Sequence, residues 1–222
     1  AWGFGTKIQE PRTKKQDINL DSIKAFVGYE KIRLNSHHLE KDDERITLDA
    51  SAIAKGYACD IIADLLRERG GENLLVDIGG EVVLQGVNDK GKAWSVGITR
   101  PTIDGTGTEE ELQEIITSNG LCMATSGNYR RFYTTDDGRK VAHTLSPKTG
   151  YSAISTLLSA TVIAPTCAEA DAAATMFMAL GSEGGAVSVA KELEKEGWLY
   201  YFIFADKEGY RVECSAKLNS AE

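Results

Sequence analysis

Apolar residues recur every four positions at Ile53, Tyr57, Ile61 and Leu65, with Ala54, Ala58, Ile62 and Leu66 beside them. That period predicts a helix with one broad apolar face. Asp49 and Ser51 stand ahead of it as entry signals, because their oxygens can accept hydrogen bonds from the first unpaired backbone N–H groups. Gly70-Gly71, following Arg67 and Arg69, closes it. One residue is out of keeping: Gly56 falls near the start of this helix, where glycine costs about 1 kcal/mol relative to alanine.

Beyond this helix the pattern turns to short strands. "NLLVDIGGEVVLQG" reads as two strands broken at Gly79-Gly80, and "AWSVGITRP" as a third. "PTIDGTGTEEELQE" is polar and glycine-rich and predicts an exposed loop. Strand character resumes in "IITSNGLCMATSG", in "RKVAHTLSP" and in "STLLSATVIAP". Thr166 and Glu169 then have capping-box spacing and open the alanine-rich helix "CAEADAAATMFMALG". A second helix around "GGAVSVAKELEKEG" places Val187, Val189, Ala190 and Leu193 on its apolar side, and the hairpin "WLYYFIFA"/"YRVECSA" turns at "DKEG". Strands outnumber helices and fall in hairpin-like pairs, so the expected class is α+β, with mixed or antiparallel sheets and packed helices.

Composition narrows the function only by exclusion. The 222 residues are 42% hydrophobic and 26% charged, ordinary for a globular chain able to bury a core. A net charge of −8 argues against a nucleic-acid surface. There is no apolar run of membrane-spanning length. Cys59, Cys122, Cys167 and Cys214 are widely separated and form no zinc-ligand spacing. The opening "AWGFG" lacks Met and reads like the middle of something longer.

Candidate chemistry sits in four places. Asp171 and Thr175, four apart on one helix, share a face and offer two hard oxygen ligands of the kind Mg²⁺ takes. The same spacing suits a structural role, with Asp171 favouring the positive helix end and Thr175 bonding back to a carbonyl. His143, before a Ser-Pro-Lys-Thr-Gly turn, is placed either for proton transfer or simply at a strand end. "ATSGNYRRFY" joins a small-residue turn to Arg130-Arg131, a combination that can hold phosphate. "VDIGGE" lacks the G-x-G-x-x-G pattern and leads into a strand, so it fails as a dinucleotide fingerprint.

Five segments, "LDASAIAKGYACD", "LLVDIGGEV", "ATSGNYRRFY", "HTLSPKTG" and "SATVIAPTCAEADAAATMFMALG", occur in the order found in the FAD:protein FMN transferase family, and "WGFG" resembles that family's flavin-contacting segment. These ApbE-type flavin transferases were formerly called thiamine-biosynthesis lipoproteins. The likeness runs from Trp2 to about Cys214. It implies an ApbE-like domain over residues 1–222, N-terminally incomplete relative to the family.

What the resemblance implies is Mg²⁺-dependent transfer of FMN from FAD to a Thr or Ser hydroxyl of an acceptor protein, releasing AMP. By motif position, Ala52 (through its carbonyl), Asp171 and Thr175 would ligate Mg²⁺. Trp2, Gly3, Phe4, Asp49, Lys55 and Leu145 would line the FAD site, and His143 would be the catalytic base. On this reading Gly56 lets the flavin nucleotide approach the helix start. Acceptors in the family are subunits of membrane electron-transfer complexes, which implies the periplasm or the outer face of the cytoplasmic membrane. One departure is Ser146, where the family commonly has Asp. Two alternatives use the same fold: an FAD-binding or FAD-hydrolysing relative without protein transfer, and an inactive fragment serving as a binding module.

Overall fold

The structure, a computed structural model, describes residues 20–101, 112–127, 132–134, 140–153, 155–207 and 209–218, and of 132–134 and 140–142 the backbone alone. A short helix α1 (Leu20–Lys24) and the hairpin β1 (Ile32–Asn35) and β2 (His38–Lys41) precede α2 (Ala54–Glu68). There follow β3 (Leu74–Ile78), β4 (Glu81–Gln85), β5 (Trp94–Thr99), β6 (Leu112–Ser118), β7 (Gly120–Gly127), β8 (Phe132–Thr134) and β9 (Lys140–Ala142). The chain continues through β10 (Leu157–Ala164), α3 (Cys167–Leu180), α4 (Ala186–Lys195), β11 (Leu199–Asp206) and β12 (Gly209–Cys214).

Six of these strands form one sheet in the order β12-β11-β10-β7-β4-β3, and every neighbouring pair is antiparallel. The period-2 alternation of its strands serves two cores. On one face Ala124, Ala160, Val162, Tyr200, Phe202 and Phe204 meet α3 and α4 through Phe177, Met178, Ala186 and Ala190. On the other, Val82, Leu84, Met123, Tyr201 and Ile203 pack against Ile98 and Ile116 of the β5–β6 hairpin. The result is an α+β architecture in three layers: helices, sheet, hairpin. Among the described residues no helix is long and apolar enough to cross a membrane.

Locally specified features fall where the sequence puts them. Gly79 and Gly80, at φ 66° and 100°, make the two-residue β3–β4 turn that needs left-handed backbone at both positions. The Thr166–Glu169 capping box is present in full. Other expectations need correction. Leu112 to Glu114 belong to β6 rather than to a loop. The "ATSG" segment is the end of strand β7, paired with β10, and not a phosphate-cradling turn. Arg130 and Arg131 lie outside the described residues. On α4, Ala186 and Ala190 are the buried residues, while Val189 faces outward.

The largest correction concerns α2. It starts at Ala54 with Ile53 at the cap, after a turn in which the Ile53 and Ala54 amides both donate to the Ala50 carbonyl. The buried residues of the helix are Gly56, Cys59 and Ala63, whereas Tyr57, Ile61 and Leu65 are 59%, 49% and 45% exposed. The small residues, not the large apolar ones, define the packed stripe.

Candidate active site

The first turn of α2 meets the start of α3 at very short range, and Gly56 is the reason. A Cβ there would lie 2.6 Å from the Cys167 carbonyl carbon and 2.8 Å from Asp171 Cβ. Gly56 thus admits a neighbouring helix, where the sequence reading had it admit the nucleotide. The two helices are further joined by Asp60, whose carboxylate accepts the Cys167 and Ala168 amides at 2.9 Å each. Together with the capping box, this satisfies amides at the start of α3.

Asp171, 3% exposed, therefore does not serve its own helix end. Its Oδ2 accepts the Gly56 amide at 3.0 Å, a charge-assisted bond between segments 115 residues apart. Among the described residues no backbone amide donates to the Ala52 carbonyl, four residues before Gly56. The hydrogen bond that would close this turn of helix is replaced by one to Asp171. Thr175, one turn further along α3, shares a hydrogen bond of 3.1 Å with the Ser126 hydroxyl from β7, and among the described residues it does not bond back to a carbonyl. One carboxylate and one hydroxyl thus stand a turn apart on α3, and the Ala52 carbonyl, which accepts no amide of the described backbone, lies in the turn before α2.

Glu81 is the residue that sequence reasoning missed. It opens β4 on the helix side of the sheet and is 1% exposed. Lys55 Nζ, on α2, lies 2.5 Å from its Oε2, while the lysine side chain remains 48% exposed. Apart from that ammonium, Glu81 Oε2 has no polar partner among the described residues. Burial pushes the Glu81 carboxyl above the usual carboxylate range; the Lys55 charge opposes this and the nearby Asp171 charge adds to it. A charged residue at the inward position of an apolar strand was the available signal, since such a charge is costly to bury unless paired.

The remaining expected residues are more dispersed. Asp49 is exposed and accepts the Ser51 amide at 2.7 Å; the Ser51 side chain first, and then this amide, hold its carboxyl below the usual range. His143 is exposed and directly follows β9; Leu145 is half-buried and pairs with Ser152 in an isolated bridge. Trp2, Gly3 and Phe4 lie outside the described residues. No group of three or more His, Cys, Asp and Glu side chains converges to hold a metal among the described residues. The donors at the α2–α3 junction are hard oxygens, mostly neutral, and that chemistry fits Mg²⁺, which keeps several of its waters.

An antiparallel sheet backed by helices, two of them joined through the Asp171–Gly56 hydrogen bond, defines the class: an α+β domain. The sequence matches the ApbE family over residues 1–198, and the chain belongs to that family. It is 36% identical over 193 residues to an FAD:protein FMN transferase of Vibrio cholerae, covering 86% of this chain and 56% of that protein. With the FAD:protein FMN transferase of Escherichia coli K12 the identity is 35% over 224 residues, covering 99% and 61%. The solved flavin transferase ApbE from Vibrio cholerae superposes with a TM-score of 0.82 at 32% identity, over 98% of this chain and 66% of that one. The apo flavinyl transferase ApbE of Pseudomonas stutzeri gives 0.81 at 28% identity. The chain thus spans about six-tenths of the length of these curated relatives.

Proposed function

We propose that this chain transfers FMN from FAD to a Thr or Ser hydroxyl of an acceptor protein, in the presence of Mg²⁺ and with release of AMP. The observation that carries this reading is the buried Asp171 carboxylate bound to the Gly56 amide, four residues after an Ala52 carbonyl that accepts no amide of the described backbone. Asp171, Thr175 and the Ala52 carbonyl would hold the metal. Bound there, Mg²⁺ would neutralise charge on the pyrophosphate of FAD.

The chain's own residues account for the rest. By motif position Trp2, Gly3, Phe4, Asp49 and Leu145 would line the flavin nucleotide, and the half-exposed Lys55 ammonium would meet its phosphates. The acceptor hydroxyl oxygen attacks the FMN phosphorus, and His143, as a neutral imidazole, takes its proton. A new P–O bond to the acceptor forms as the bond to the bridging oxygen breaks, and that oxygen leaves with AMP. The acceptor is a subunit of a membrane electron-transfer complex, and the reaction takes place in the periplasm or at the outer face of the cytoplasmic membrane.

The test is incubation with FAD and Mg²⁺, with and without a candidate acceptor subunit, following AMP by chromatography and the acceptor by mass spectrometry. AMP release accompanied by FMN mass on an acceptor hydroxyl is the expected result. AMP release without acceptor labelling would make the chain an FAD hydrolase. Neither FAD binding nor AMP release would leave a binding module and overturn the reading.

A further inference from the structure

We infer that Glu81 is a positioning residue that holds the Lys55 ammonium at the nucleotide site, an inference that rests on the flavin-transfer reading above. A lysine has a long flexible stem, and one that is 48% exposed would ordinarily be disordered over many rotamers. Here its ammonium is tied at 2.5 Å to a carboxylate that is itself 1% exposed. That carboxylate has little freedom. Glu81 is paired with Ile78 across the β3–β4 turn, and the next residue, Val82, is paired with Met123 of β7. The Gly79 turn borders the contact: a Cβ there would lie 3.9 Å from both Glu81 Oε2 and Lys55 Cδ.

The pair is asymmetric in a way that suits ligand binding. Glu81 depends on Lys55, because leaving a buried carboxylate without its partner is strongly unfavourable. Lys55 has three N–H donors and needs only part of them for Glu81. The exposed side of the ammonium is left to an anion, at a fixed position. Lys55 also immediately precedes Gly56, whose amide binds Asp171. The first turn of α2 is therefore anchored by two buried carboxylates, Glu81 through the side chain and Asp171 through the backbone. An ammonium ordered in advance binds phosphate without the entropic cost of being ordered on binding.

The test is a double-mutant cycle of Glu81→Gln and Lys55→Met, read by FAD affinity with Mg²⁺, by steady-state kinetics and by thermal melting. Glu81→Gln keeps the shape and removes the anchor. We expect it to raise the KM and Kd for FAD about tenfold, with kcat changed by less than about threefold, the pattern of lost ground-state binding. In the Lys55→Met background, the same substitution should leave FAD affinity within about twofold and should raise the melting temperature, since it removes an unpaired buried charge. FAD binding by Glu81→Gln equal to wild type would overturn the inference. So would an equal loss in both backgrounds, which would mean Glu81 acts without Lys55. A wild-type chain that binds no FAD would overturn the functional reading instead. The melting cycle would then still decide whether Lys55 and Glu81 act as a unit.

Discussion

A methyl group at residue 56 has nowhere to go, because two of the atoms it would meet are the Cys167 carbonyl carbon and Asp171 Cβ, on a helix fixed by its own capping box. Gly56→Ala should therefore behave opposite to helix propensity, which would favour alanine by about 1 kcal/mol. Overpacking against backbone typically costs about 1–3 kcal/mol, and α2 must shift away from α3 to relieve it. We expect a lower melting temperature and, with the Gly56–Asp171 bond lengthened, weaker Mg²⁺ binding by calorimetry. An unchanged melting temperature would mean that the helices do not approach this closely. At this scale the sequence flagged the right residue for a reason the structure replaces. A glycine where it should not be says that something comes close, but not whether that is a ligand or another helix. The distinction lies in residues 167 and 171, more than a hundred positions away.

Within α2 the large and small residues compete for the core, and the small ones win. Cys59 and Ala63 are fully buried while Tyr57, Ile61 and Leu65 stay about half exposed. Close packing on α3 and on β3–β4 leaves room only for the stripe of Gly56, Cys59 and Ala63. The four-residue apolar period showed that this is a helix, correctly, and pointed to the wrong face, because periodicity measures hydrophobicity and not the distance to the partner. Elements whose partners are local were legible throughout: the β3–β4 and β11–β12 hairpins and the Thr166 cap. Two substitutions separate the faces of α2. Ile61→Ser should cost no more than about 1 kcal/mol in urea unfolding, as for a partly exposed site. Ala63→Leu, at a position with no exposure, should cost about 1–3 kcal/mol or more. The reverse order would restore the apolar face as the packed one.

Across the whole molecule, the candidate metal site draws on segments that only the fold brings together: the turn before α2, the middle of α3, and β7 through Ser126. Motif order suggested Ala52, Asp171 and Thr175 as a set, but no local pattern links a carbonyl at 52 to a carboxylate at 171. The Gly56–Asp171 hydrogen bond is the physical link. A cation held between α2 and α3 binds the folded chain and not the unfolded one, so it must stabilise the fold by mass action. At 100 times its Kd the gain is about 2.7 kcal/mol. For a domain of this size that corresponds to a rise in Tm of about 5–10 °C. Melting the FAD-free chain in EDTA and in millimolar Mg²⁺ should show such a rise. Asp171→Asn retains a carbonyl oxygen that can accept the Gly56 amide, so the fold should persist while the charge is lost. We expect that variant to melt at the same temperature with and without Mg²⁺. Thr175→Ala should keep part of the rise, since water can replace a neutral hydroxyl ligand. An undiminished Mg²⁺ increment in Asp171→Asn would place any bound metal elsewhere and remove the α2–α3 junction as the centre of the reaction.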